Sequence, residues 1–473
     1  MSYEEEQKRL KHLWEGFGAS SDDDDDDLFI GSNSDGEDGM QEEVGIAGRG
    51  GEHPIEETEY AEEGTVHAEE ELENAISDSD TEYGERERES TTDDSRNGAD
   101  SNRDGNRYFL DKNKSKWAKF PNRRNVRTRS ENIVIHLPGV KGIARQKKTA
   151  IDCWLLFFTE DMLDDIVRYT NVKLGNKATK YNTSHQYLVK ETDKMEIKAV
   201  MGLLYLTGLY KAHRQNMSDL WNTDESGIEL FRTTMSLQRF YILLQSLRFD
   251  NKHNRDQRKE IDKLAPIIGI FEKFVDNCKI HYSPSEYLTV DEKLEPFRGR
   301  VSFLQYMPKK PAKYGLKVFA LVDAKTYYCL NMEVYVGTQP DGPYRQSNSP
   351  EDIVERLIEP VSGTKRNITF DNWFTSYPLM MNLLERHKLT SVGTVRKNKR
   401  QIPAVFLNIT TREPRSSVFA FRENITAVSY VPKKSRNVIL FSTLHHDDAI
   451  IDESGDKKLP EIIHFYNSTR HIG

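Results

Sequence analysis

The chain has 473 residues, of which 36% are hydrophobic, and a formal net charge of −9. This is longer than one ordinary domain and poor in apolar residues for its length, so a sizeable part is expected to lie outside any core. The charge is also divided: residues 1–105 carry about −27 and residues 106–473 about +18, so the overall acidity conceals a basic body suited to phosphate.

Residues 1–105 read as a disordered acidic tail, with Asp22 through Asp27 in one run and Glu69, Glu70 and Glu71 in another. Such a segment buries too little apolar surface to offset chain entropy. Tethered beside a basic body, it is expected to compete with DNA for that surface; the alternative is a plain solubilising tail. Deleting residues 1–105 should then tighten DNA binding at low salt and change little at high salt, where screening weakens both contacts. Equal affinities at low ionic strength, in an anisotropy titration, would leave the tail as a solubilising segment.

Residues 106–150 read as a basic linker, Lys112, Lys114, Lys116, Lys119, Arg123, Arg124, Arg127 and Arg129 among them, with Trp117 and Phe120 interleaved. It can lie on DNA, serve as a nuclear import signal or simply be solvated. From 151 to 284 the apolar spacing becomes three and four, as in Ile197, Val200, Met201 and Leu204, or Leu237, Phe240, Leu244 and Leu247. This predicts an all-helical subdomain.

Strand signals dominate from 285. Tyr287–Val290, Val318–Val322 and Tyr327–Val336 read as three strands. A helix capped by Ser349 with Pro350 at its first position follows, then a strand from Arg366 to Phe370, a helix capped by Ser376 and a strand from Leu389 to Val395. The order β-β-β-α-β-α-β over 285–398 predicts an α/β, RNase H-like core: a mixed five-stranded sheet with helices. Residues 399–473 read as a β-rich insertion. Cys153, Cys278 and Cys329 stand far apart without a Cys-x-x-Cys pair, which argues against zinc and disulfides and fits a reducing compartment. No apolar N-terminal signal is visible, and the run from Ala199 to Tyr210 is too short to span a bilayer, so the reading is soluble and intracellular with no membrane partner.

Chemistry concentrates in two stretches. Tyr287-Leu-Thr-Val-Asp291 and Arg366-Asn-Ile-Thr-Phe-Asp371 each set an aspartate at the end of an apolar, β-branched run, at the tip of a predicted strand. Two such carboxylates on neighbouring strands can share Mg2+ or Mn2+, hard cations that prefer oxygen and activate phosphodiesters. The competing reading is strand ends capped by turn-forming aspartates. Arg298, Arg300, Lys309, Lys310, Lys313 and Lys317 flank the first aspartate, and Arg396, Lys397, Lys399 and Arg400 follow the fifth strand. Both groups are candidates to grip phosphates, the latter against a solvated-loop alternative. Glu292 is expected to face away from Asp291 and pair with Arg298 or Lys313. Asp323 reads as a turn residue and His445-His446-Asp447-Asp448 as an exposed loop. No phosphate loop, dinucleotide fingerprint or Gly-x-Ser-x-Gly is present, so no small-molecule cofactor is expected.

Asp291-Glu292 with Phe297-Arg298-Gly299-Arg300 and Tyr306-Met307-Pro308-Lys309-Lys310, then Asp371-Asn372-Trp373-Phe374-Thr375-Ser376, then Val392-Gly393-Thr394-Val395-Arg396, resemble, in order, the catalytic blocks of the piggyBac family of cut-and-paste DNA transposases. The resemblance runs from about Trp154 onward. It implies an RNase H-like catalytic core, a helical dimerisation and DNA-binding layer, and metal ligands at Asp291 and Asp371. It further implies excision at terminal inverted repeats of double-stranded DNA, insertion at TTAA, a homodimer and a nuclear location. The family's third aspartate follows a motif like Phe465-Tyr466-Asn467-Ser468-Thr469-Arg470. Here the sequence reaches His471-Ile472-Gly473, so the resemblance implies a transposase cut just before that aspartate, its helix and the cysteine-rich module. The expected function is metal-dependent DNA strand transfer, by an enzyme or a fragment of one. The alternative is a catalytically inactive, domesticated or degenerate DNA-binding protein.

Overall fold

The computed structural model describes residues 107–121, 133–181, 183–212, 215–224, 226–297, 299–308 and 310–470. The acidic tail, Arg123, Arg124, Arg127, Arg129, Arg298, Lys309 and the last three residues lie outside the described residues. The chain divides into two compact units, one built from Leu163–Lys252 and Pro296–Leu316, the other from the described residues of the rest.

The first unit is helical. Helix α1 (Glu160–Ala178) enters it, followed by α2 (Lys194–Leu209) and α3 (Leu237–Ser246). Asp193 caps α2 by accepting from the Glu196 amide, and Ser236 caps α3 through the Arg239 amide, as short polar side chains at helix starts do. The core holds Val200 and Phe240 of the predicted stripes, together with Leu203, Phe231 and Leu243, while Leu204, Leu237 and Leu244 pack against it only partly buried; Trp221 closes it, its indole N–H donating to the Met235 carbonyl at 2.8 Å. Arg239 is buried in this core. It meets both Glu196 carboxylate oxygens, at 2.8 and 2.6 Å, and donates to the carbonyls of Leu188 and Lys190. Within 296–316, Gln305 and Tyr306 pair antiparallel with Gly315 and Tyr314.

The second unit is a sheet covered by helices. In chain order its elements are β1 (Tyr108–Leu110), β2 (Lys116–Ala118), α4 (Ile268–His281), β3 (Tyr287–Pro296), β4 (Tyr314–Asp323), β5 (Cys329–Val334), α5 (Pro350–Ile358), β6 (Asn367–Phe370), α6 (Tyr377–Glu385), β7 (Thr390–Thr394), β8 (Ser416–Arg422), β9 (Ile425–Lys433), β10 (Arg436–Ser442) and α7 (Glu461–Thr469). The strand order is β5-β4-β3-β6-β7-β10-β9-β8-β2-β1. Its first five strands are the predicted core, with β3, β6 and β7 parallel and β4 antiparallel to β5.

Ser349 and Ser376 cap α5 and α6 as expected, each accepting an amide hydrogen in the first turn. Ile353, Val354, Leu357 and Ile358 of α5, with Leu379, Met380 and Leu383 of α6, close the core over Leu288, Val290, Ile368 and Phe370. The β-rich stretch is continuous with that sheet, because β10 pairs antiparallel with β7.

Two stretches differ from their sequence reading. Residues 107–121, read as linker, hold the edge hairpin β1–β2, because Trp117 is fully buried between Tyr377 and Phe441 and its indole N–H points at Asp111. The sequence His445–Asp448, read as an exposed loop, is half-buried: the His445 ring meets the Ser442 hydroxyl at 2.8 Å and packs edge-on against Phe465. Burial, then the neighbouring His446, pushes the His445 imidazole down to about 4. No described helix is long and apolar enough to cross a membrane.

Candidate active site

Strands β3 and β6 pair in parallel, with Tyr287 opposite Asn367 and Val290 opposite Phe370. One further residue along each strand are Asp291 and Asp371, so the two aspartates leave the pairing at the same level, on neighbouring strands about 4.8 Å apart. The aspartates predicted at two strand tips therefore follow paired residues at one level, at the C-terminal end of the parallel strands. Asp291 is not at the end of its strand, because β3 continues to Pro296. It stands where the parallel pairing stops.

Asp371 retains partial exposure as a residue, but its carboxyl group lies deep. It accepts from the Trp373 amide at 2.9 Å. Burial, then the charge of Glu292, pushes the Asp371 carboxyl up to about 6, against amides of Trp373 and Phe374 and the Arg396 cation, which pull it down. Glu292 was expected to face away from Asp291, and it acts electrostatically on Asp371. Asp291 accepts from the Glu292 amide at 2.7 Å.

A folded value above the unfolded carboxylate value means that the native state holds a proton the unfolded chain has released. Without a cation, the stability this contributes is complete below about pH 4 and is lost as pH rises through about 6. Asp371→Asn is therefore expected to flatten the fall in stability between those pH values, by an amount on the order of 2 kcal/mol. Urea midpoints measured in chelator across pH 4 to 7 check this.

The last helix docks on the same strands. Thr469, at the end of α7, receives the Thr289 hydroxyl on its carbonyl, and its own hydroxyl meets that of Thr369 at 2.8 Å. These threonines precede Asp291 and Asp371 by two residues each, so the chain leaving α7 starts beside the pair. One turn earlier Tyr466 is buried with its hydroxyl hydrogen-bonded to Thr394. Burial, then the Asp371 charge, raises it far above the usual phenol range, and Asp291 adds to the shift. Only the motif around Phe465–Arg470 hinted at this helix in the sequence, and nothing pointed to its contact with β3 and β6.

Of the predicted phosphate-binding residues, Arg396 stands at the pair, its Nε donating to the Asn372 carboxamide at 3.0 Å. Lys317 lies over the rings of Phe319, Trp373 and Tyr335, at 4.7, 5.0 and 6.0 Å, so its ammonium is held on an aromatic face just past Asp371. Lys399 donates its amide to the Arg396 carbonyl, and Arg400 accepts from the Lys112 amide. Arg300, Lys310 and Lys313 lie on 296–316, in the helical unit; Lys313 turns through a left-handed backbone and donates its amide to the Lys310 carbonyl. Asp323 is not at the pair. It receives the Ser285 amide and hydroxyl and the Lys325 amide at the opposite end of β3, a turn role.

The donor set at the pair is all oxygen, and the Glu292 charge adds to burial in raising the Asp371 carboxyl, a setting that suits a hard divalent cation. Among the described residues no group of three His, Cys, Asp or Glu side chains comes together as a metal site.

Residues 149–472 match a family model described as transposase IS4. Two human proteins, PiggyBac transposable element-derived protein 3 and the chimeric ERCC6-PGBD3 protein, are each 27% identical over 257 residues. Those residues are 53% of this chain and 40% and 22% of the respective relatives. The chain thus spans less than half the length of either. A cryo-EM structure of the piggyBac transposase synaptic complex with hairpin DNA is 36% identical, with a TM-score of 0.65 over 71% of this chain and 68% of that one.

Proposed function

Since the chain belongs to the piggyBac family of IS4-type transposases, we propose that it acts on double-stranded DNA by cut-and-paste strand transfer at the Asp291–Asp371 pair. The observation carrying this reading is the matched register of β3 and β6, which brings two distant carboxylates to one level. Asp291 and Asp371 are the residues to hold Mg2+ or Mn2+. A divalent ion, when bound, supplies Lewis acidity to phosphodiester oxygens and lowers the cost of forming hydroxide.

Arg396, fixed by Asn372, offers a guanidinium edge to a phosphate beside the pair. In the first step a water oxygen attacks phosphorus in line as the bond to the 3′ oxygen breaks, and that oxygen leaves as a 3′-hydroxyl. In the second, the 3′-hydroxyl attacks a phosphodiester of the target, with one P–O bond formed and one broken. The proposal extends to inverted-repeat ends, a TTAA target, a homodimer and a nuclear site of action.

Because the chain leaves α7 beside the pair, a carboxylate shortly after Arg470 would complete a three-acid site. A second reading is DNA binding without cleavage, supported by the basic clusters at Arg396, Lys399, Arg400 and the hairpin lysines. Incubation with supercoiled plasmid in Mg2+, Mn2+ or chelator separates the two. Metal-dependent nicking supports the first reading, and salt-sensitive binding without nicking supports the second.

A further inference from the structure

We infer that the β1–β2 hairpin and the loop from Arg396 to Pro403 form one phosphate-binding surface continuous with the aspartate pair, holding the duplex beyond the reacting phosphate. This rests on the DNA-directed reading above. In sequence the two stretches are nearly 300 residues apart and look like separate charge clusters. In the fold they are joined: the Lys112 amide donates to the Arg400 carbonyl at 3.1 Å, and Asp111 bridges to Pro403.

Residues 107–121 and 396–403 together hold nine lysines and arginines against one carboxylate, Asp111. That carboxylate is turned inward, where it accepts the amides of Asn113 and Ser115 and faces the Trp117 indole. The acid therefore serves to shape the hairpin, and the outward field is positive. Lys112, Lys114 and Lys116 are exposed.

The hairpin is a fixed platform. Trp117 is buried in the sheet core, and the Arg422 guanidinium stacks over the rings of Trp117 and Tyr377, at 5.5 and 4.7 Å. At the other end of the surface Arg396 is tied to Asn372, next to Asp371. The segment from Arg396 to Arg400 is folded by a turn, the Lys399 amide donating to the Arg396 carbonyl, so its cations are gathered between the pair and the hairpin. A backbone entering at the aspartates therefore continues over Arg396, Lys399 and Arg400 to the hairpin lysines. A fixed row of cations without base-reading geometry suits a duplex backbone, and the resulting grip is independent of sequence.

The test uses the full chain and a labelled random-sequence duplex in chelator, titrated by fluorescence anisotropy over a range of salt. The variant K112Q/K114Q/K116Q is compared with K365Q/K388Q, which removes cations at the opposite, N-terminal ends of β6 and β7. The hairpin variant is expected to bind about tenfold or more weakly at low salt, with a log–log salt slope shallower by about 2.7 for three lost contacts. The control variant is expected to match the wild type. Equal affinity and slope for the hairpin variant and the wild type, or an equal loss in the control, would overturn the surface. Failure of plasmid nicking alongside the expected binding pattern would count against cleavage and leave the surface standing. Absence of duplex binding by the wild type would sink both.

Discussion

Asp371→Asn is expected to abolish divalent-ion-dependent strand cleavage, by on the order of a thousandfold or more, and Asp291→Asn to do the same. The two carboxylates leave β3 and β6 at one level, so an amide at either position removes a charged oxygen donor while the backbone and its amide contacts remain. Duplex binding in chelator should survive in both variants, because the proposed phosphate contacts are on Arg396, Lys399, Arg400 and the hairpin. Nicking assays on supercoiled plasmid, with binding measured in parallel, check the separation. An Asp371→Asn protein that nicks at the wild-type rate would remove the pair from the mechanism.

Arg239→Met is expected to cost the helical unit about 3–5 kcal/mol, the range for breaking a buried ion pair by removing one partner. The loss strands the Glu196 carboxylate and leaves the Leu188 and Lys190 carbonyls without their donor. Burial pushes the Glu196 carboxyl up, but the Arg239 and Thr192 hydrogen bonds outweigh it and hold the group below its ordinary value. A depressed carboxylate contributes stability above its unfolded value, about 4.3, and loses it as pH falls through the folded one. The wild type should therefore lose stability on acidification in that window, and Arg239→Met should lose less. Pairing it with Glu196→Gln is expected to recover part of the loss, because no unpaired charge remains. Urea unfolding of the wild type and both variants against pH measures each term, and a loss below about 1 kcal/mol for Arg239→Met would show the pair to be solvated.

The position of Asp371 was legible because β-branched runs announce strands and it follows the last strand residue, whereas Asp291 lies inside β3, where the parallel pairing stops. Their matched register was not legible, because pairing Tyr287 with Asn367 depends on contacts 80 residues apart that no local pattern encodes. The helices were legible for the same local reason, since the apolar spacing through Val200 and Phe240 carries its own period, but the face was set one residue off, with Leu203 and Leu243 buried in place of Leu204 and Leu244. The hairpin was missed because its lysines dominate the composition. The signal it did carry was alternation, with Lys116 and Trp117 on opposite faces and Trp117 too large to leave in water. Lys317 was counted with the phosphate grippers from its charge alone, and only the fold shows the aromatic rings beneath it. Glu292 was assigned by alternation along one strand, a rule that says nothing about the neighbouring strand's Asp371.

The central claim is that Asp291 and Asp371 together bind one or more divalent cations, and a thermal-unfolding titration with Mn2+ tests it most directly. Ligand binding to the native state alone raises stability with concentration, by about 2.7 kcal/mol at a hundredfold excess over Kd. The wild type is expected to gain several degrees in Tm across the titration at a pH well above the Asp371 value of about 6, and the Asp291→Asn/Asp371→Asn variant to gain none. An equal Mn2+-dependent rise in the double variant would contradict the claim.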